Sequence, residues 1–549
     1  MSNFRRQATI NSALWAAYAD ALGFITELAN SKATVKSRSG QETILETIPW
    51  KRKLEGIYGT QVELPKGTYS DDTQLRLSTS RAINGRGYFD VEAFAKCELP
   101  VWLSYALGAG RGTKIATNNL IKKSINWYSN FYSQKDSKYI QGGGNGAAMR
   151  IQPHVWAATN LHDIESYIVD VIKNSIVTHG HPRGILGAIF HSLSLARVLR
   201  NEKLSLESLK EDAFICSRAS VFIKQDDMLE TFWVHQWEAE TKLSLDDAFA
   251  NGAEELLTDI ESVSTWVEST DTNYTQLTNI MGLTNPEQRG SGTKTALAAS
   301  LLLLKSYTST NAHKLLVDVV NELKSDTDTI GTMFGALYGA QANALPPGHI
   351  QDYDYIVSEA NRMYRLSVGE DTETFEYPDA LNWIPNRSSL DNSMVATNNK
   401  VHIDLFGELT PISVSYEDRK NEYLFKWYLT KHGFSILLKR RVFKELLEEE
   451  PQCAPNTISS VDNPSIHNSD SYDTAQISAT ASTQSKTVAL TPMVYDMKAL
   501  AREAIESNFD ETLIGQHIKL LAKKKNYSIE SVIAYSSIIA NAFNNDPTT

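Results

Sequence analysis

Apolar residues recur three and four positions apart through roughly the first 345 residues, the period of helices that bury one face. Ile185-Leu186, Ile189-Phe190, Leu193 and Ala196 follow it in a segment with few charges, which predicts a buried helix. Ala296 to Leu304 is apolar on most sides and reads as a second central helix. Beyond Asp328, Gly331, Gly335 and Gly339 come every fourth residue. Each costs a helix interior about 1 kcal/mol relative to alanine, so three on one face imply close approach of another helix. Gly290-Ser291-Gly292-Thr293-Lys294-Thr295 resembles a phosphate-binding loop superficially. Thr293 separates the glycine from the lysine and no strand precedes it, so a helix start is expected.

The pattern changes after Pro346-Pro347-Gly348. One helix is expected around Tyr353 to Leu366. Val401, Ile403 and Leu405 then alternate with His402 and Asp404, as in a half-buried strand. Tyr423 to Leu429 and Phe434 to Leu438 flank a short turn at His432-Gly433, which reads as a hairpin. Residues 451–490 are rich in Ser, Thr, Asn, Asp and Ala and poor in large apolar side chains, the composition of a disordered linker. Helical periodicity returns at Met497 to Ile505, Leu513 to Leu521 and Ile529 to Phe543, where Ile529, Val532, Ile533, Ile539 and Phe543 fall near one face. The expected division is 1–348, 349–450 with a small β-rich module, a 451–490 linker and a 491–549 helical module. That module has the character of a docking element for a protein partner or for self-association.

A chain of 549 residues with 42% hydrophobic and 21% charged residues suits a large soluble protein. No apolar run reaches the ~18 residues of a membrane span, and Met1 to Ile10 lacks a secretory apolar run. A net charge of −12 argues against broad nucleic-acid binding. Cys97, Cys216 and Cys453 are too dispersed for a disulfide framework or a cysteine-rich zinc site. These features point to a reducing, cytoplasmic setting.

Two distant acidic clusters change the picture. Ser70-Asp71-Asp72-Thr73 and Asp326-Thr327-Asp328-Thr329 each precede a helical stretch. Taken singly, each is also what an acidic helix cap looks like. Brought together, their carboxylates and hydroxyls would form the oxygen-only set that Mg²⁺, Mn²⁺ or Ca²⁺ prefers. The run Gly142-Gly143-Gly144-Asn145-Gly146 lets backbone N–H groups approach a phosphate, or is simply a flexible turn. His179 and His181 are an H-x-H pair without further ligands at zinc spacing. Thr270-Asp271-Thr272 copies part of the second cluster in polar surroundings and reads as a surface turn.

Five motifs in order extend this reading. They are Ala19-Asp20-Ala21-Leu22-Gly23-Phe24-Ile25-Thr26-Glu27, Ser70 to Thr73, Gly142 to Arg150, Thr178-His179-Gly180-His181-Pro182, and Asp326 to Thr329. Over roughly residues 8 to 345 they resemble the ADP-ribosylglycohydrolase family. The resemblance implies a mainly α, compact all-α core, to which this chain adds the β-rich and C-terminal helical modules. It implies two divalent cations, Mg²⁺ first and Mn²⁺ second, held by Ser70, Asp71, Asp72, Asp326, Asp328 and Thr329. It implies hydrolysis at the anomeric carbon of ADP-ribose attached to a protein, a nucleic acid or a small molecule. Glu27 and Asp72 are then the candidate catalytic residues, with Glu27 as base or water-orienting group. Asp20, Gly143, Gly144, Asn145, Gly146, Met149 and His179 are the candidate ligand-binding residues. Family members often carry Gly at the position of Ala19, Thr at Ser70 and Gly-Gly at Lys324-Ser325. The last difference would reshape the loop entering the second cluster. The alternative function is a catalytically weak ADP-ribose-binding or toxin-neutralising protein.

Overall fold

The computed structural model describes residues 2–56, 58–269, 273–308, 312–379, 383–395, 400–420, 422–442, 497–523 and 529–544. The expected linker at 451–490, Cys453 and the Thr270-Asp271-Thr272 turn lie outside them. The chain divides into two compact units. The first spans residues 1–226 and 232–459, and the second joins 227–231 to 460–549.

The first unit is built on a helix from Ser2 to Phe24 that lies along a helix from Thr327 to Gln341. The glycine spacing explains the fit. A Cβ on Gly335 would stand 2.5 Å from Trp15 O, and one on Gly339 would stand 2.4 Å from Asn11 O. On Gly331 it would lie 3.3 Å from Ala19 O. Polar atoms lock the register: Ser12 Oγ donates to Ala336 O at 2.7 Å, and Thr332 Oγ1 donates to Ala16 O at 2.9 Å. Gly23 closes the seam, since a Cβ there would come within 2.4 Å of Thr327 O. This close pairing brings the end of the first helix to the start of the Thr327 helix.

The two central helices expected from the sequence run from Pro182 to Leu199 and from Gly292 to Ser306. They cross at glycine, because a Cβ on Gly187 would overlap the backbone of Gly292. The Gly290–Thr295 segment is a turn followed by a helix start, with Gly290 at φ +75°. A helix from Asp71 to Ala82 is buried along its whole length.

Residue 348, expected to end the first domain, lies inside this unit. The helix Tyr353–Ser367 packs on the first helix. Asp352 accepts from Tyr69 Oη at 2.7 Å and from Ser435 N at 3.0 Å, tying the later sheet to the residue before Ser70. The sheet is antiparallel, in the order Ser435–Arg441, Tyr423–Thr430, Gly407–Pro411, Val401–Ile403, Ser393–Val395. A short strand, Tyr416–Glu417, also pairs with Tyr423–Thr430. The expected hairpin has Leu437 opposite Trp427, and its turn places Gly433 at φ +90°, where glycine carries no steric cost. An earlier hairpin, Trp50–Leu54 with Thr60–Leu64, was not anticipated.

The second unit contains helices Met497–Glu506, Glu511–Lys523 and Ile529–Asn544. Leu500, Ala504, Leu521, Tyr535 and Ile539 are buried, and Tyr535 Oη lies 2.8 Å from His517 Nδ1. Ile533, grouped with Ile539 in the sequence pattern, is exposed. Among the described residues no helix is long and apolar enough to cross a membrane.

Candidate active site

A cavity of about 450 Å³ opens where the first helix, the Asp71 helix and the Thr327 helix meet. Its volume is in the range of small-molecule sites. Glu27, Asp71, Asp72, Asp326, Asp328 and Thr329 line it. Gly143, Gly144, Asn145, Gly146, Met149 and His179 line it as well. Twelve of the fourteen sequence candidates are therefore gathered at one place.

Asp20 and Ser70 are the exceptions, and both have structural work beneath the cavity. Asp20 is fully buried and accepts from Ser70 N at 2.9 Å, Thr73 N at 2.9 Å and Thr73 Oγ1 at 2.6 Å. It satisfies the first turn of the Asp71 helix rather than a ligand. Ser70 is that helix's N-cap, its Oγ accepting from Asp72 N at 3.2 Å. With the cap supplied by Ser70 and Asp20, the Asp71 and Asp72 side chains are left to the cavity.

The second helix start is arranged differently. Asp326 occupies the N-cap position but makes no capping hydrogen bond with its side chain. Its Oδ2 instead accepts from Asn145 Nδ2 at 2.9 Å. Thr329 Oγ1 reaches across to Asp72 Oδ1 at 3.4 Å, so the two clusters touch. Lys324, in the segment that departs from the family pattern, holds the left-handed conformation at φ +75°. Glycine adopts that conformation more cheaply, so the loop keeps a glycine-like shape with a lysine in it. Ser325 is buried and donates to Glu322 O at 2.8 Å.

Burial and mutual repulsion act together on these acids. Burial first, then Glu27 and Asp20, pushes the Asp71 carboxyl well above the usual carboxylate range. Burial first, then Asp20, Asp71 and Asp326, does the same to Asp72. Burial first, then Glu27 and Asp72, does so for Asp328. Asp72 Oδ2 is buried without a hydrogen-bond partner. An orphaned carboxylate oxygen among like charges is what a hard cation would relieve. No three His, Cys, Asp or Glu side chains among the described residues stand as a ready metal-holding group. The donor set fits a cation once the Thr329 hydroxyl and water complete it.

Glu27, the candidate base, is largely withdrawn from solvent. It sits in the turn after the first helix, 12% exposed, and accepts from Arg52 Nη2 at 2.8 Å. Arg76 was also missed. It is buried and donates to Thr73 Oγ1 at 2.7 Å and Thr332 Oγ1 at 3.0 Å, joining the two helices that bear the acids.

The glycine run departs from the anion-nest expectation. None of Gly142, Gly143, Gly144 and Gly146 has positive φ, so the run is not a nest of the alternating αR–αL form. The N–H groups of Gly142, Gly143 and Asn145 already donate to Tyr139 O, Gln141 O and Gly290 O. These glycines serve close packing: a Cβ on Gly146 would stand 2.9 Å from Thr113 Oγ1 and 3.1 Å from His179 Cε1. Arg150 does not line the cavity. It donates to Asn174 O and to Thr178 Oγ1, each at 2.8 Å. Thr178 Oγ1 in turn meets His179 Nδ1 at 2.7 Å. With the Arg150 N–H accepted, the hydroxyl hydrogen is free for Nδ1, which leaves Nε2–H on the glycine side. Burial, with Arg150 nearby, depresses the His179 pKa to about 3, so the ring is neutral. His181 Nδ1 accepts from Arg183 N at 3.1 Å and caps its helix, a supporting role.

A second glycine-rich run escaped the sequence reading. Gly108, Gly110, Gly112 and Thr113 line the cavity opposite Gly146. They lead into the helix Arg111–Leu120, whose N-cap Gly110 supplies no capping side chain. Open N–H groups at a helix start favour anions. Arg111, Lys138 and Arg289 bring positive charge to the same cavity. The G-x-G-x-G spacing was the available signal, masked by the absence of a preceding strand.

A helical core that joins two acidic helix starts around a glycine-lined cavity defines the class of protein this is. The chain belongs to the ADP-ribosylglycohydrolase family, whose profile matches residues 4–373. It is 28% identical over 149 residues to the ADP-ribosyl-[dinitrogen reductase] glycohydrolase of Rhodospirillum rubrum, a match covering 26% of this chain and 46% of that protein. The chain thus spans about half the length of this curated relative. A solved structure described as an ADP-ribosylglycohydrolase-related protein complex matches 66% of this chain and 99% of its own, with 18% identity and a TM-score of 0.43.

Proposed function

We propose that this chain is a divalent-cation-dependent hydrolase that removes ADP-ribose from a modified protein, nucleic acid or small molecule. The bond cut is the one at the anomeric carbon of the distal ribose. The observation that carries the reading is the meeting of Asp71, Asp72, Asp326, Asp328 and Glu27 in one cavity inside the family-matched segment. Asp71, Asp72, Asp326, Asp328 and Thr329 would hold Mg²⁺ or Mn²⁺. Such a cation, when bound, supplies Lewis acidity and fixes the ribose hydroxyls. Glu27 orients or deprotonates the attacking water. The carboxylates also favour the positive charge that develops on the ribose as the bond breaks. The His179 Nε2–H, the open turn at Gly110 and the cations Arg111 and Lys138 suit the diphosphate. Free, buried Cys97 and Cys216 agree with a reducing, cytoplasmic setting. The second unit serves recruitment of a modified target or self-association.

Incubation with defined arginine-, serine- and nucleobase-linked ADP-ribose, with Mg²⁺, Mn²⁺ or chelator, tests this reading. Cation-dependent release of ADP-ribose from at least one linkage supports it. ADP-ribose binding without release from any linkage would replace it with the binding-protein alternative.

A further inference from the structure

We propose that Arg52 is a positioning residue for Glu27, delivered by a hairpin that the C-terminal sheet braces. The inference rests on the hydrolase reading given above.

The main chain at Glu27 is held by its own turn, Glu27 N donating to Gly23 O at 2.9 Å, but that leaves the side chain without a fixed direction. The first helix ends at Phe24, and Leu28 turns the chain back with φ +57°. Two arginines hold this turn. Arg38 Nη1 donates to Ile25 O at 3.0 Å and to Glu27 O at 2.7 Å, fixing the main chain. Arg52 Nη2 donates to Glu27 Oε2 at 2.8 Å, fixing the side chain and adding a tie from the hairpin to the turn as a whole. A free glutamate would spread over several rotamers, and ordering it costs up to about 2 kcal/mol. The ion pair orders it before substrate arrives.

Arg52 is itself held as a flat plate. Its guanidinium carbon lies 4.3 Å from the Phe24 ring centroid and 5.9 Å from that of Trp50. Stacking of this kind suits arginine and not lysine. Both members of the pair are only 12% exposed, yet Arg52 Nη1 is buried with no partner. Leaving such a donor unmet costs about 1–3 kcal/mol. A purely structural pair would be expected to satisfy it. The pair thus orders the one acid in the turn while one Arg52 donor goes unmet.

The brace comes from the far end of the first unit. Arg52 lies on the strand Trp50–Leu54, paired with Thr60–Leu64 from Trp50↔Leu64 to Leu54↔Thr60. Trp427 Nε1 donates to Glu63 O at 3.2 Å. Lys439 Nζ meets Glu55 Oε1 at 2.9 Å, while Lys439 N donates to Ser104 O at 2.8 Å. The sheet beyond residue 390 thus grips both ends of the hairpin that carries Arg52.

The test uses the full chain, with Arg52→Ala and Arg52→Lys beside wild type. Three quantities are read: single-turnover ADP-ribose release at saturation, ADP-ribose affinity, and hydrogen exchange of residues 24–29. Misplacing a reacting group by about 1 Å costs on the order of 10²-fold in rate. Arg52→Ala should lose about that much rate while its ADP-ribose affinity stays within about threefold. Arg52→Lys should recover part of the rate, and exchange at 24–29 should quicken in Arg52→Ala. A wild-type rate in Arg52→Ala overturns the proposal, as does a loss of affinity equal to the loss of rate. If wild type releases nothing from any linkage, the hydrolase reading fails. Exchange then decides the clamp by itself: faster exchange supports it, and unchanged exchange at 24–29 overturns it.

Discussion

The helix beginning at Asp71 and the helix beginning at Thr327 send carboxylates into the same cavity, but their first turns are satisfied in opposite ways. At Asp71 the cap is complete: Ser70 and the buried Asp20 take the helix N–H groups. At Thr327 the cap residue Asp326 gives its side chain to Asn145. At the first start the acids are free of capping duty and face the cavity. The second is held from outside, through the Gly142–Gly146 loop. An acidic helix start is thus two separable things, a cap and a charge: the first start assigns them to different residues, while at the second Asp328 Oδ1 itself accepts from Thr329 N at 3.0 Å.

The largest effect expected from breaking this arrangement is on chemistry. Glu27→Gln keeps shape and removes basicity, so single-turnover release should fall ~10²–10⁴-fold with ADP-ribose affinity largely kept. Asp328→Asn should lower hydrolysis by about 10²-fold or more and weaken cation binding in the same titration. Asp20→Ala should act on the fold. It strips three hydrogen bonds from a buried helix start, and urea denaturation should show a loss of about 3 kcal/mol. If it instead left stability intact and changed only cation affinity, Asp20 would belong to the site.

Charge crowding gives a pH test. The folded pKa values of Asp71, Asp72 and Asp328 are raised, so the metal-free folded state holds protons that the unfolded chain releases. Their contribution to stability is present below the ordinary carboxylate range near ~4 and is lost as pH rises. A cation should restore it. At 100-fold excess over its dissociation constant a ligand adds about 2.7 kcal/mol, and the Mg²⁺-induced rise in Tm should be larger at pH 8 than at pH 5. The smallest effect is expected at Lys324. Replacing it with glycine relieves the left-handed residue and should raise stability by about 0.5–1 kcal/mol.

Much of this was legible along the chain, for identifiable reasons. Gly331, Gly335 and Gly339 gave away the helix seam because glycine in a helix interior carries a cost that only close packing removes. The His432-Gly433 turn marked the sheet hairpin through its need for positive φ. Motif order singled out Glu27 and the two acidic clusters, which line one cavity. Arg52, Arg38 and Arg76 were not, because their partners lie in other elements or turns that spacing along the chain does not connect, and surface arginines are common. Asp20's place under the Asp71 helix was not legible, because spacing cannot distinguish an acid facing a ligand from one facing a helix start. The Gly142–Gly146 run was read as a nest because sequence shows which residues permit positive φ and not which adopt it.

The central claim is that the two helix starts form one cation site. Calorimetric titration of Mn²⁺ into the metal-free full chain, beside Asp72→Asn and Asp326→Asn, tests it most directly. Saturable binding is expected in wild type, with a weakening of that same binding by either substitution, although the two residues are more than 250 positions apart. Unchanged Mn²⁺ affinity in one variant, or no saturable binding in wild type, would contradict it.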